Sequence, residues 1–355
     1  MGLNKGEWSE LYAMLYLIVN RKLLTVDSNL KIISDDLFKV KTIINPEQKG
    51  DLIIDFSCDG KNIIPTVYGA LKEPISIKEV QEIKEQLFSS INSNKGAFTI
   101  EEIPIWFNSK GINATFKAPT NQKQDIILIN YDLFKNKITP KLGYSIKSQL
   151  GSPATILNAS AQTDFRYIVE NLSQDKIAEI NNIKTDQKLR DRITRIKELG
   201  GKISFDSVVS QTFNNNLSFI DTNFGSALAE ALLNSYELKT KSLKELFSNS
   251  RIYEDKNLAY HKLKDFLYAI SFGMLPSIKW NGEYSANGGF IIVSKDSNVY
   301  ILDNIYYEKE VRKYLLEETK LESPSATRYH MLELKENEQT GKIYFTLNLQ
   351  IRFKK

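Results

Sequence analysis

The chain has 355 residues, 42% of them apolar and 25% charged, with a formal net charge of +4; that is enough for one large domain or two modest ones, and a charge that permits a polyanionic partner without requiring one. The single cysteine, Cys58, excludes disulfides and thiolate zinc clusters, and two histidines, His261 and His330, are too few for a histidine-rich metal site. No apolar run approaches the roughly twenty residues of a membrane span, and MGLNKGEWSE lacks a signal peptide's apolar stretch, so no membrane partner and a cytoplasmic location are expected.

Residues 5–19 predict a helix. Trp8, Leu11, Tyr12, Leu15 and Ile18 fall at helical spacing, flanked by Glu7 and Glu10. β-type runs follow at KIIS, FKVKTII, DLIIDF and NIIPTV, then a helix over 76–93 before the Gly96 break. INATFKA reads as a strand and PTNQKQ as a polar bridge. DIILINYD and KLGYSIKSQL read as two strands joined by LFKNKITP. After Gly151 helical patterns dominate over 173–199, 225–248 and 253–272. Strand signals return at FIIVSK, NVYIL and KIYFTLNLQIRF, with the charged helix YYEKEVRKYLLEETK between them. The expected class is α+β, a mixed α/β chain with a soft boundary between residues 160 and 180. That division gives a first unit over 1–170 and a helical and β second unit over 171–355.

No GxxxxGK(S/T) phosphate loop and no GxGxxG turn is present. Chemistry must therefore run on carboxylates, lysines and hydroxyls, and the hairpin at 125–149 gathers all three. If its strands pair around residue 136, Asp125 lies opposite Lys147. Ser145, Lys147 and Gln149 share one face, and Leu142, Tyr144 and Ile146 take the other. Opposed residues share a face, so Asp125 joins the polar set. Metal-dependent phosphodiester cleavage needs such a set: a carboxylate for Mg²⁺, and a lysine to orient water or offset charge on the phosphate. The Ile146 carbonyl, between the two polar side chains, is a further candidate ligand. An Asp–Lys pair on a solvated strand is also a common surface feature. The next segment, GSPATILNAS, adds Ser152, Thr155, Asn158 and Ser160, which can meet phosphates or base edges or serve as turn and cap residues.

NKGEWSELY near the start, LGYSIKSQLGSPATILNAS in the middle and NLQIRF at the end resemble the HpaII-type restriction endonucleases. The resemblance spans nearly the whole chain. It implies a type II deoxyribonuclease of the PD-(D/E)XK superfamily, with a mixed sheet flanked by helices and an active-site hairpin. It also implies Mg²⁺ as cofactor, double-stranded DNA containing CCGG as substrate, 5′-phosphate products and a cytosine methyltransferase protecting the same site. Carried over to these residues, Asp125 is the metal-binding aspartate and Lys147 the lysine of the pattern. Ser145 stands where Asp or Glu is expected. A neutral hydroxyl is the weaker ligand, so the resemblance implies a compensating glutamate from the first helix: Glu10 first, Glu7 second. Asp132, on the opposite face from Lys147, is the poorer alternative aspartate. The departure at Ser145 also leaves open a DNA-binding protein of the same fold that cuts weakly or not at all.

Reading CCGG requires donors to guanine and acceptors from cytosine. KLESPSATRYH offers Lys320, Ser323, Ser325, Thr327 and Arg328, and WNGEYSANGGF is a second loop whose glycines would allow close approach to a polyanion. A palindromic site suits a two-fold homodimer; a monomer that nicks sequentially is the other arrangement.

Overall fold

The computed structural model describes residues 2–47, 49–113 and 121–354. The elements that position the site are helix α1 (Lys5–Asn20) and strands β1 (Phe38–Asn45), β2 (Ile126–Asp132), β3 (Leu142–Ser148) and β4 (Thr155–Leu157). They are completed by helix α2 (Lys256–Phe272) and strands β5 (Gly289–Val293), β6 (Val299–Asp303), β7 (Thr319–Leu321) and β8 (Ile351–Phe353). The strands expected from KIIS, FKVKTII, DLIIDF and NIIPTV all form. Of INATFKA, Ile112 and Asn113 are outside any strand and the rest lies outside the described residues.

Among the described residues a twelve-stranded mixed sheet dominates. Its main path runs Ile32–Ser34, Leu24–Val26, β6, β5, β3, β2, β1, Leu52–Phe56, Asn62–Val67, Ala70–Leu71. β3 lies antiparallel to β2 and parallel to β5. The sheet thus joins strands from both sides of residue 170, where the sequence suggested a boundary.

Strand alternation builds a core on each face. In β5, Ile291 and Val293 enter one core with Leu11, Met14 and Leu15 of α1, while Phe290 and Ile292 enter the other with Phe266 and Phe272 of α2. The Phe272 and Phe290 rings are 4.5 Å apart between centroids. A strand buried on both faces reads as a continuous apolar run, which is why FIIVSK is legible.

Among the described residues three smaller sheets complete the fold, one of them the two-stranded pair of Leu3–Asn4 with Ala97–Phe98. Asp164–Glu170 lies between Lys202–Val208 and Ile343–Asn348, and β8 lies between β4 and β7. The first two strands were not expected from the sequence, although DFRYIVE alternates buried and less buried residues along its length. KIYFTLNLQIRF divides into Ile343–Asn348 and β8, which belong to different sheets. No helix among the described residues is long and apolar enough to cross a membrane.

Candidate active site

The hairpin register differs from the expectation by two residues. Ile126 pairs with Tyr144 and Leu128 with Leu142, which sets Asp125 beside Ser145 and not opposite Lys147. Pairing shifts between the tip of the hairpin, where Tyr131 meets Ile138, and its base, and a count from the middle of the loop does not see the shift. A slip of two restores every side chain to the same face, so the polar grouping survives. The Ser145 hydroxyl donates to Asp125 Oδ2 at 3.2 Å, the Ile146 N–H donates to the same oxygen at 2.6 Å, and Lys147 Nζ donates to Ser145 Oγ at 2.7 Å. Ser145 is therefore the middle of a chain from carboxylate to ammonium. Burial pushes the Asp125 carboxyl up; the Lys147 ammonium and the Ile146 amide act the other way by favouring its charged form.

Helix α1 brings Glu10 to the same place. Asn4 caps the helix, its side chain accepting from Glu7 N at 3.1 Å while Glu7 Oε2 accepts from Asn4 N at 2.9 Å. That bond commits Glu7 to the helix start, so the second-choice metal ligand has a structural task. Ser9 and Ser148 hydroxyls lie 2.7 Å apart and tie the helix to the end of β3. Glu10 then lines one small enclosed space with Asn45, Asp125 and Ile146. Asp132 is occupied on the other face, accepting from Tyr306 Oη at 2.5 Å and Lys135 N at 2.8 Å.

The donor set fits Mg²⁺. Among the described residues no three His, Cys, Asp or Glu side chains cluster. A hard ion of this kind needs one or two carboxylates and keeps several waters, and Asp125 and Glu10 supply two.

The site opens into a groove of about 650 Å³. Lys5, Lys95, Lys147 and Arg352 line it against the single carboxylate of Glu10, together with Ser152 and Thr155. A cleft with that excess of cations concentrates an anionic ligand.

The remaining expected contacts divide. Lys320, on β7, pairs across the sheet with Arg352. Gln149 is half-buried and its N–H donates to Val293 O at 2.9 Å. Asn158 is exposed. Ser160 caps the short helix Ala161–Thr163, accepting from Gln162 N at 3.2 Å, which gives it a structural role. Ser325 accepts from Arg328 N at 3.2 Å, and Thr327 accepts from Lys188 Nζ at 3.3 Å. Arg328 is exposed, and neighbouring Tyr329 donates to Ala159 O at 3.0 Å, which sets that turn at the far end of the 151–160 segment. Two of the three glycines of WNGEYSANGGF serve packing: a Cβ on Gly288 would meet the Tyr144 ring at 2.5 Å, and one on Gly289, at φ +117°, would meet Leu302 O at 2.1 Å, whereas Gly282 has nothing within 4 Å.

Sequence reasoning missed Lys123. Its Nζ donates to Ile156 O at 3.4 Å, beside Asp125 and Lys147. Burial, then the neighbouring Lys147 ammonium, lowers its pKa to about 7. The residue sits in the polar bridge PTNQKQ, where nothing in the sequence separates it from a solvated lysine.

The family model for HpaII restriction endonuclease matches residues 4–353. The type II restriction enzyme HpaII of Haemophilus parainfluenzae is 33% identical over 363 residues, covering 99% of this chain and 98% of that protein. The chain belongs to the HpaII restriction endonuclease family. It is accordingly a type II site-specific deoxyribonuclease, and its mixed sheet with flanking helices agrees with a restriction-endonuclease-like fold. No solved structure matches it. Lys147 and Glu10 line the cationic groove, and Asp125 shares the small space beside it with Glu10.

Proposed function

We propose that this enzyme hydrolyses both strands of double-stranded DNA at CCGG with Mg²⁺, leaves 5′-phosphates, and works in the cytoplasm beside a cytosine methyltransferase that protects the same sequence. The CCGG assignment rests on the family resemblance. The observation that supports the chemistry is the unbroken hydrogen-bond chain Asp125–Ser145–Lys147, whose lysine lines a groove with four cationic side chains and one carboxylate.

Asp125 and Glu10 would hold the metal, with the Ile146 carbonyl as a third donor. A bound Mg²⁺ ion supplies Lewis-acid stabilisation of charge on the phosphate. Ser145 positions the Lys147 ammonium and the Asp125 carboxylate relative to each other. Lys147 orients the attacking water and offsets the negative charge that grows on the phosphate in the transition state. Lys5, Lys95 and Arg352 hold the duplex by its backbone, and Ser152 and Thr155 add hydroxyl contacts. Base reading falls to the 325–328 turn, with Arg328 the donor to guanine.

Incubation with unmethylated phage DNA, with and without Mg²⁺, tests this reading when the fragment ends are sequenced. Ends at CCGG with 5′-phosphates, seen only with Mg²⁺, are expected. Sequence-specific binding without any cleavage would instead favour the non-cutting reading that Ser145, in place of a carboxylate, allows.

A further inference from the structure

We propose that Arg352, with Lys320 and Thr155 beside it, is a phosphate clamp that grips the DNA backbone at the edge of the catalytic groove. The proposal rests on the reading above that the groove receives duplex DNA.

The row is built by strand pairing. Arg352 is the central residue of β8, with Thr155 of β4 opposite it on one side and Lys320 of β7 on the other. Ile351 and Phe353 are buried at 0% and 2% exposure, so alternation turns Arg352 to the outer face. Residues directly opposite share a face, and like charges in that relation are unfavourable. Arg352 and Lys320 stand in that relation. Glu322 lies 3.7 Å from Lys320 Nζ and answers one of the two charges. Among the described residues no carboxylate pairs with Arg352, and no acceptor reaches its buried Nε.

A guanidinium carries five donors in a planar fork. What would suit the two terminal nitrogens of this guanidinium, with Nε out of reach, is an anion offering two oxygens in one plane beside a hydroxyl and an ammonium. A phosphodiester offers its two non-bridging oxygens in that geometry. Arg352 also lines the groove that contains Lys147 and Glu10, so a phosphate held there belongs to the strand that passes the catalytic group. With Nε sealed into the sheet surface, the side chain is placed for the backbone running over the sheet and not for a base edge deep in a DNA groove.

Binding to a CCGG duplex and to a scrambled duplex, measured without divalent metal across a salt series, tests the assignment. For Arg352→Met the log–log salt slope should become shallower by about 0.9, the value for one phosphate contact, and affinity should fall equally for both duplexes. Arg352→Lys should restore the slope but only part of the affinity, because an ammonium cannot make the paired bonds. A merely structural role would lower the thermal midpoint and leave the slope unchanged, which would overturn the assignment; loss confined to the CCGG duplex would overturn it in favour of base reading. Binding of neither duplex by the unsubstituted chain would overturn the DNA reading itself and the clamp with it, whereas normal binding and cleavage with an unchanged slope in Arg352→Met would overturn the clamp alone.

Discussion

Ser145 stands where the resemblance implies a carboxylate, and the structure gives its hydroxyl two partners. It accepts from Lys147 and donates to Asp125, so a hydroxyl aligns the two charged groups to which the proposal assigns the chemistry. A hydrogen bond to a charged group is worth about 1.5–3 kcal/mol, which converts to roughly tenfold to 150-fold in rate. Ser145→Ala should therefore slow single-turnover cleavage by that factor while DNA binding stays level. The two acidic residues of α1 should separate as cleanly. Glu10→Gln is expected to raise the Mg²⁺ concentration for half-maximal cleavage by about tenfold or more. Glu7→Gln is expected to weaken the helix cap by roughly 1 kcal/mol without moving that Mg²⁺ midpoint; a Mg²⁺ titration of both variants distinguishes them. At this scale the shared face of Asp125, Ser145 and Lys147 was legible from strand alternation, though not the register that sets Asp125 beside Ser145. Lys123 and Arg352 were not. A half-buried lysine and an outward arginine look like any surface cation until the fold shows what surrounds them.

At the scale of elements, the 126–148 hairpin depends on residues that leave room as much as on its polar residues. Gly143 lies in β3, two residues before Ser145, and a Cβ there would meet the Ser285 carbonyl oxygen at 2.1 Å. Gly143→Ala should force the 285–289 loop away from the hairpin and cost about 1–3 kcal/mol, read as a lower urea midpoint. Equal stability would show that the close approach is not required. Several strands and helices were well marked, since two-sided burial gives FIIVSK its apolar run and one-sided burial gives the 77–93 helix its stripe, whereas Asp164–Glu170 and Lys202–Val208 were not. The register was not marked, because the hairpin changes its pairing between tip and base. Nor does any local signal join Ser9 to Ser148 or divide KIYFTLNLQIRF between two sheets. These are long-range choices made by packing.

Across the whole molecule, the large sheet draws strands from both halves of the sequence, and stability should therefore be read for the full chain. One buried carboxyl gives that stability a pH signature. Asp303 is fully buried at the end of β6, and burial pushes its pKa up to about 6 from 3.8, while the Tyr306 N–H bond at 2.7 Å partly opposes the shift. Folding thus favours its neutral form: the benefit is complete below pH about 4 and is lost as pH rises through about 6. The loss is on the order of 3 kcal/mol by the usual conversion. Asp303→Asn should flatten the fall in stability between pH 4 and 7, seen in denaturant midpoints, and an unchanged slope would remove Asp303 as its cause. The most direct test of the nuclease centre is single-turnover cleavage of a CCGG duplex by Lys147→Ala, with binding measured in parallel. Binding within a few-fold of the unsubstituted enzyme, with cleavage reduced by a factor of about 10³ or more, is the expected result; cleavage at the unsubstituted rate would contradict the assignment of chemistry to this hairpin.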